Sequence, residues 1–324
     1  MEVVEWATKQ GAIINSAISV EFNRKEGFHI TGEVAPSSLL MEIPAALLVN
    51  VKSLGGPSGK SHMELAKYLC TTSNPWTNSI NEVSLPILWP PKDVDLLPAK
   101  SKTRIQLMRR EMDQDFDDSG LSDYEKWTWA WAAVNSRCIH WKVGREGGDQ
   151  MTLAPVVDFF NHGINPEECI TIQNKLGKMQ VHAAASPQPQ HLLFYGPHDN
   201  AFLLTEYGFI VENNKWDYID ITLEIETLAI NRPLLSSLGF LGEYSLNRDG
   251  PCFRTTIAIA SIEASERQLT RYVQGLDDFY IPQSTLMALY DSLDQQYRHR
   301  SDAHEQIQGL WAGYRKILED LDRT

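Results

Sequence analysis

The sequence contains few cysteines, and their spacing predicts neither a disulfide framework nor a shared zinc site. Cys70, Cys138, Cys169 and Cys252 lie far apart in the 324 residues, without a Cys-x-x-Cys pair or a histidine at zinc-finger spacing. Disulfide-framed domains and structural zinc sites place their ligands in tighter, recurring patterns. We therefore expect buried, reduced thiols, no disulfide framework and no zinc.

The sequence also lacks long basic runs and long apolar runs. No basic run is longer than the pair Arg109-Arg110, and the formal net charge is −13. Because tracking a phosphate backbone requires a basic stripe, we expect no direct contact with nucleic acid. No apolar run reaches about 18 residues and no basic, apolar leader opens the chain, which predicts no membrane segment and a cytoplasmic or nuclear location. The acidic balance suits a cationic partner such as a lysine-rich peptide, although solubility also explains it.

The composition that remains is typical of a folded protein, with 43% hydrophobic and 22% charged residues. At roughly 150 residues per domain, the length predicts two domains. Hydrophobic periodicity predicts a buried strand at 39–43, helices over about 61–141 and 264–323, and strands between 169 and 195. Because regular β-α-β alternation is missing, the pattern favours an α+β protein over a doubly wound one.

Two polar stretches are predicted to be connections without chemistry. The acidic stretch from Glu111 to Asp118 is interpreted as a loop. Gly59-Lys60-Ser61 resembles the end of a phosphate-binding loop, but Leu54 stands where that motif requires glycine. The flanking strand and helix are also not in the required order, so we interpret 55–61 as a flexible loop.

Two further segments combine polar side chains with apolar surroundings. Residues 158–162, Asp-Phe-Phe-Asn-His, follow an apolar run and could bind a polar ligand, because buried polar groups need partners. The alternative is a turn that satisfies its own backbone, and a metal site would need further His or Cys ligands nearby. Tyr195 and Tyr207 are each followed by glycine and could line a pocket, or could belong to the core.

In their order along the chain, these segments resemble the SET-domain protein methyltransferases, and specifically the Rubisco large-subunit methyltransferase group. The likeness covers most of residues 6–260. Its motifs are the strand ending in Ile43-Pro44, Asn135-Ser136-Arg137 on a tryptophan-rich helix, the Asp-x-x-Asn-His segment, and Tyr-Gly-x-x-x-Asn and Tyr-Gly-Phe at Tyr195 and Tyr207.

The resemblance implies an α+β fold with a split SET β core, a helical insertion and a helical C-terminal domain. The SET domain would occupy residues 1–225, with the insertion at about 51–149. A helical substrate-binding-like domain would occupy 226–324, which is short for the group.

The resemblance also implies S-adenosylmethionine as the cofactor. Asn161 and His162 would bind it, Tyr195 would stand at the methyl-transfer centre, Tyr207 would line the cofactor and lysine channel, and Arg137 would support the cofactor pocket. Asn200 would be a structural partner of the knot-like crossing. No metal is implied.

One departure concerns the Gly-x-Gly motif at which the group's backbone approaches the cofactor. Anchored on Ile43-Pro44, that motif aligns with Lys25-Glu26-Gly27, so Gly27 is retained as a cofactor-binding residue while Lys25 replaces the first glycine. A side chain there would either weaken cofactor binding or add a charged contact.

The predicted function is transfer of a methyl group to an accessible lysine of a non-histone protein. Two alternatives remain open. A catalytically degenerate SET protein would bind a partner without catalysis, as the Lys25 departure suggests. A histidine methyltransferase would use the same fold with a different acceptor, as some members of the group do.

Overall fold

A computed structural model of the chain describes residues 2–24, 27–80, 83–141, 150–278, 283–297 and 304–321. Its helices are α1 (Glu2–Lys9), α2 (Ser61–Thr71), α3 (Pro91–Val94), α4 (Ala99–Ser119), α5 (Tyr124–Arg137), α6 (Asn200–Tyr207), α7 (Thr222–Thr227), α8 (Arg232–Leu238), α9 (Phe253–Ala260), α10 (Glu266–Val273), α11 (Gln283–Tyr297) and α12 (Glu305–Leu321). Its strands are β1 (Ile13–Ile14), β2 (Ser19–Asn23), β3 (Gly27–Thr31), β4 (Leu39–Ile43), β5 (Val49–Asn50), β6 (Ile139–His140), β7 (Met151–Leu153), β8 (Thr171–Lys175), β9 (Lys178–His182), β10 (Gln190–His191), β11 (Ile219–Asp220), β12 (Ser245–Asn247) and β13 (Gly250–Pro251).

The chain divides into two structural units. The first contains Met1–Pro90, Thr103–His198 and Phe202–Gly208, and the second contains Pro91–Lys102, Asp199–Ala201 and Phe209–Thr324. The domain boundary near residue 225 stays a prediction. No helix of the described residues is both long enough and apolar enough to cross a membrane.

The β-structure of the first unit is split into small antiparallel sheets. Their strand orders are β1-β4-β9-β8, β10-β3-β2 and β5-β7-β6. The predicted strand at 39–43 is confirmed as β4, in which Met41 pairs with Val181 of β9 and Ile43 pairs with Met179. All four of these side chains are fully buried. Helices beside several small antiparallel sheets confirm the α+β class.

The helical part of the first unit confirms the periodicity of residues 61–141. Helices α2 and α5 pack on each other through buried side chains, among them Leu65, Leu69, Trp127 and Trp131. The ring of His62 also stacks on Trp131 with the ring centroids 3.8 Å apart. Apolar residues at intervals of three and four therefore face one another, as expected for helices that share a core.

The prediction of an acidic loop at 111–118 is wrong, because these residues lie inside α4. Three of their carboxylates accept hydrogen bonds along the helix surface. Asp113 accepts from the Tyr124 hydroxyl at 2.5 Å, Asp115 accepts from Trp131 Nε1 at 3.2 Å, and Asp118 accepts from Lys60 Nζ at 2.9 Å. These long-range bonds offset the low helix propensity of aspartate. They also place the lysine of the phosphate-loop-like segment in an ion pair.

In the second unit, helix α12 confirms part of the helical segment predicted over 264–323. On α12, Leu310, Tyr314, Ile317 and Leu318 are buried. Trp311 of the same helix donates from Nε1 to the carbonyl of Leu96 at 3.0 Å. A buried polar ring nitrogen therefore has a partner, as a stable core requires.

Asn200 has a structural role in the second unit. Its backbone N–H and Nδ2 donate to Asp217 at 2.6 and 2.8 Å. Its side chain also donates from Nδ2 to the carbonyl of Val211 and accepts at Oδ1 from the N–H of Val211. The asparagine therefore holds the segment around 211–217, where burial raises the pKa of Asp217 to about 6.

Candidate functional site

The two segments that the sequence singles out lie side by side in the first unit. Leu193 donates its N–H to the carbonyl of Asn161 at 2.8 Å, and Gly163 donates its N–H to the carbonyl of Leu193 at 3.0 Å. His162 and Leu193 thereby form a parallel bridge outside the regular strands. This crossing brings the Asn-His pair next to the tyrosine that ends the following segment.

Both the backbone and the side-chain hydroxyl of Tyr195 are hydrogen-bonded to that crossing. Its backbone N–H donates to Nδ1 of His162 at 3.3 Å, and its hydroxyl donates to the carbonyl of Phe160 at 2.7 Å. Burial raises the pKa of Tyr195, and the neighbouring Tyr207 raises it further. The phenol is therefore a protonated, oriented dipole at neutral pH, and not a base.

His162 is neutral in this setting. Burial, and to a smaller extent the nearby His198, lower its pKa to about 4, and a backbone hydrogen bond involving Leu193 opposes the shift. Because Nδ1 accepts from the N–H of Tyr195, the ring proton of the neutral imidazole resides on Nε2. The histidine can then support the backbone of Tyr195 without adding charge.

Lowering the pH from about 6.5 to about 4 should destabilise the fold through His162. An unfolded histidine has a pKa of about 6.5, whereas the folded value is about 4. The depressed value contributes stability that is fully present above pH 6.5 and is lost as the pH falls through the folded pKa. Urea midpoints measured across this window should fall more for the wild type than for His162→Gln. A difference between the two proteins that is independent of pH would contradict the assignment.

A buried ion pair lies beside the two tyrosines. Asp158, whose side chain is fully buried, accepts from Arg137 Nη1 at 3.1 Å and from Trp76 Nε1 at 3.1 Å. Burial raises the pKa of Asp158, while Arg137 and Trp76 oppose that shift. The predicted pocket residue Arg137 is thus held by Asp158, a carboxylate to which sequence reasoning assigns no role of its own. The available signal is a lone aspartate inside the apolar run 156–160, because a buried carboxylate needs a cation.

The turn that presents Asp158 is strained at Val156. This fully buried residue has φ 69°, in the left-handed region that β-branched residues avoid. Such strain persists only where the surrounding structure imposes it, and it concentrates at functional sites. The strained turn is a second feature that the residue pattern does not reveal.

A cavity of about 380 Å³ brings three predicted site residues together. Arg137, Tyr195 and Tyr207 all line it, together with Asp158. The tyrosine rings lie 4.9 Å apart between centroids. Burial raises the pKa of Tyr207, and Glu206 and Cys138 raise it further. The rest of the described lining is mostly apolar and includes Ile139, Val157, Phe160, Ile172, Leu193 and Phe194.

The other predicted cofactor residues lie outside this lining, as far as the described residues show. Asn161 and His162 lie on the crossing beside Tyr195. Gly27 begins β3 with φ 69°, and a Cβ there would meet nothing within 4 Å. A substitution at Gly27 would therefore be limited by backbone strain and not by a clash. Lys25, the departure from the family motif, lies outside the described residues.

Gly163 allows the crossing to pack closely. A Cβ at this position would lie 2.4 Å from Sγ of Cys169 and 3.0 Å from Cβ of Leu192. Gly163→Ala should therefore lower the free energy of unfolding by about 1–3 kcal/mol, the usual cost of overpacking. Adding Cys169→Ala should restore part of the loss, because it removes the nearer atom. Urea unfolding tests both, and a double variant no more stable than Gly163→Ala would refute the clash.

Comparison with known sequences relates the chain to ribosomal lysine N-methyltransferases. The C-terminal domain family of ribosomal lysine N-methyltransferase 2 matches residues 217–321. Ribosomal lysine N-methyltransferase set11 of Schizosaccharomyces pombe is 24% identical, over 85% of this chain and 81% of its own length. Ribosomal lysine N-methyltransferase 2 of Saccharomyces cerevisiae is 29% identical over 57% of this chain, and only 47% of its own length is matched.

Comparison with solved structures supplies the fold. Rubisco LSMT bound to AdoMet matches with a TM-score of 0.64 at 12% identity, over 99% of this chain and 90% of that one. The SET domain of LSMT bound to lysine and AdoHcy matches with a TM-score of 0.63 at 11% identity, over 99% and 89%. The predicted SET-type fold is thereby confirmed. The sequence relatives, the motif order and these structural matches agree: the chain is similar to the SET-domain protein lysine methyltransferases of the Rubisco large-subunit methyltransferase-like group.

Proposed function

We propose that this chain transfers a methyl group from S-adenosylmethionine to the ε-amine of a lysine in a ribosomal protein. The observation that carries the proposal is the cavity in which Arg137, Tyr195 and Tyr207 meet. The ribosomal substrate is supported by the names of two relatives, set11 and ribosomal lysine N-methyltransferase 2. A net charge of −13 suits a lysine-rich target.

The residues of the cavity fit this cofactor. The Arg137 side chain is 20% exposed although Asp158 engages it, so its cation can also hold a carboxylate such as that of the methionine moiety. The Asn161 side chain and the His162 backbone would hold the amino-acid and adenine parts. S-Adenosylmethionine supplies a methyl group activated on a sulfonium sulfur, whose positive charge disfavours an ammonium beside it.

The chain's own task is to present lysine as a neutral, aligned amine. An exposed lysine has a pKa of about 10.4, so neutralising it near pH 7 costs about 5 kcal/mol. The aromatic and apolar wall of the cavity disfavours the charged form by desolvation. Tyr195, held by its hydrogen bond to Phe160, then orients the amine as a fixed dipole. No strong base is needed.

The test is methyl transfer to ribosomal proteins. Ribosomes from cells that lack this protein are incubated with tritiated S-adenosylmethionine and the purified enzyme, and the labelled peptide is sequenced by mass spectrometry. Methylation of a lysine in a ribosomal protein is the expected result. Methylation of a histidine would replace lysine as the acceptor. Cofactor binding without transfer to any ribosomal protein would refute the proposed substrate.

A cytoplasmic or nuclear location belongs to the same proposal, because ribosomal proteins are made in the cytoplasm and assembled into subunits in the nucleus of eukaryotic cells. Fluorescence of a tagged chain in living cells would test it. A signal confined to another compartment would contradict both the location and the substrate.

A further inference from the structure

Glu206 is a buried carboxylate outside the cavity lining. The residue is 9% exposed, yet both of its carboxylate oxygens are engaged. Oε1 accepts from Arg104 Nε at 2.6 Å, and Oε2 accepts from Arg104 Nη2 at 3.5 Å. Oε2 also accepts from Asn135 Nδ2 at 3.0 Å. A carboxylate bound by a guanidinium and an amide is held in one orientation.

These bonds join three helices at one point within the first unit. Arg104 lies on α4, Asn135 on α5 and Glu206 on α6. Asn135 also donates to the backbone carbonyl of Glu206 at 2.9 Å. Both the side chain and the main chain at the end of α6 are therefore fixed, which a single side-chain bond would not achieve.

Tyr207 directly follows Glu206 in the chain, and the next residue, Gly208, is also constrained. Gly208 has φ 83° and donates its N–H to Leu203 and Leu204 at 3.0 Å. A Cβ on Gly208 would lie 2.4 Å from the carbonyl oxygen of Ser84. Tyr207 thus lies between Glu206, which is held by several hydrogen bonds, and Gly208, which packs against the backbone of Ser84.

The same junction also adjoins lining residues of the cavity that lie on α5. Asn135 directly precedes Ser136 and Arg137, which line the cavity from the end of α5. One asparagine therefore connects the helix end that carries Arg137 to the helix end that carries Tyr207. The bonds from Asn135 to Glu206 therefore hold the end of α6, which carries Tyr207, against α5.

We propose that Glu206 is the positioning residue for Tyr207, holding its phenol against Tyr195 through the bonds from Arg104 and Asn135. It touches no reacting atom and acts through Tyr207 alone. The catalytic role of Glu206 rests on the proposed methyl transfer. Its structural role in holding Tyr207 can be tested without that activity.

The decisive variant is Glu206→Gln, and Glu42→Gln is its matched control. Glu42 also accepts from a cation and an amide, Lys178 and Gln180, each at 2.6 Å. Its side chain is 13% exposed, against 12% for Glu206. Each substitution removes one charge from a carboxylate of similar burial, but only one of the two carboxylates adjoins Tyr207.

The readout that does not depend on activity is ¹⁹F NMR of protein containing 3-fluorotyrosine. Tyr207→Phe and Tyr195→Phe assign the two resonances. In Glu206→Gln, the Tyr207 resonance should shift or broaden as the phenol loses its single orientation, and in Glu42→Gln it should stay as in the wild type. Arg104→Gln, which alters a partly exposed side chain, should produce a smaller change in the same direction. An unchanged Tyr207 resonance in both Glu206→Gln and Arg104→Gln would overturn the proposal.

Transfer of tritiated methyl groups to ribosomal protein provides the second readout. Glu206→Gln should lower kcat by about tenfold, with little change in the Kd of S-adenosylmethionine, and Glu42→Gln should leave kcat unchanged. A tenfold loss corresponds to about 1.4 kcal/mol of transition-state stabilisation. If the wild type transfers nothing, the proposed function fails, while the ¹⁹F comparison still decides whether Glu206 positions Tyr207. A loss of kcat without any change at Tyr207 would assign another role to Glu206.

Discussion

Replacing Tyr195 by phenylalanine should lower kcat for methyl transfer by about 10²–10³-fold, the usual effect of removing one preorganised dipole from a reaction centre. The substitution removes a hydroxyl that the carbonyl of Phe160 holds at 2.7 Å. It leaves the backbone bond from Tyr195 to His162 in place. The local fold and cofactor affinity should therefore survive. The measurement is single-turnover transfer of tritiated methyl groups, beside calorimetric binding of S-adenosylmethionine.

Tyr244→Phe is the matched control for this loss. Tyr244 is a buried tyrosine, at 1% exposure, and its hydroxyl makes no hydrogen bond to the described residues. It lies in the second unit, so its removal should leave the rate unchanged. A Tyr195→Phe variant that turns over at the wild-type rate would remove Tyr195 from the reaction centre.

Replacing Asp158 by alanine should produce the largest loss of stability, about 3–5 kcal/mol, because it leaves a partner of a buried ion pair uncompensated. Arg137 would lose the carboxylate at 3.1 Å, and Trp76 Nε1 would lose its acceptor. The same variant should bind S-adenosylmethionine weakly, since Arg137 would no longer be held at the cavity. Urea unfolding and calorimetry measure the two effects separately.

The exposed pair between Arg271 and Asp277 is the control for this prediction. Both side chains are 44% exposed although their closest atoms are 2.6 Å apart. Asp277→Ala should cost much less stability than Asp158→Ala, because exposed ion pairs generally contribute little. Adding Arg137→Met to Asp158→Ala should restore part of the lost stability, because the orphaned charge is then removed. Equal costs for Asp158→Ala and Asp277→Ala would contradict the buried role.

Most of the fold can be predicted from the sequence because its signals are local. The strand at 39–43 and the stripe on α12 follow from spacing within a few residues. The prediction for the acidic stretch at 111–118 is wrong for the opposite reason. Its helical state depends on Tyr124, Trp131 and Lys60, and the spacing along the chain does not reveal those contacts.

The candidate site also contains residues that the sequence predicts and residues whose roles depend on distant partners. Motif order identifies Tyr195, Tyr207 and Arg137, and the structure places all three on one cavity. The roles of Asp158 and Glu206 depend on partners 82 and 102 residues away, Trp76 and Arg104. A single sequence shows the residue types but does not pair them across such distances.

The pairing of β10 with β3 has a consequence for how the chain is made. Gln190 pairs with Thr31 and His191 with Ile30, and the His191 ring contacts the carbonyl of Gly32, 159 positions earlier in the chain. At the usual translation speed of about 5–20 residues per second, the first strand waits roughly 10–30 seconds for its partner. During that interval β3 has an open edge, which favours association with other chains. The tyrosines of the cavity, at 195 and 207, are synthesised later still, so a ligand of this cavity cannot stabilise the early strands of a nascent chain.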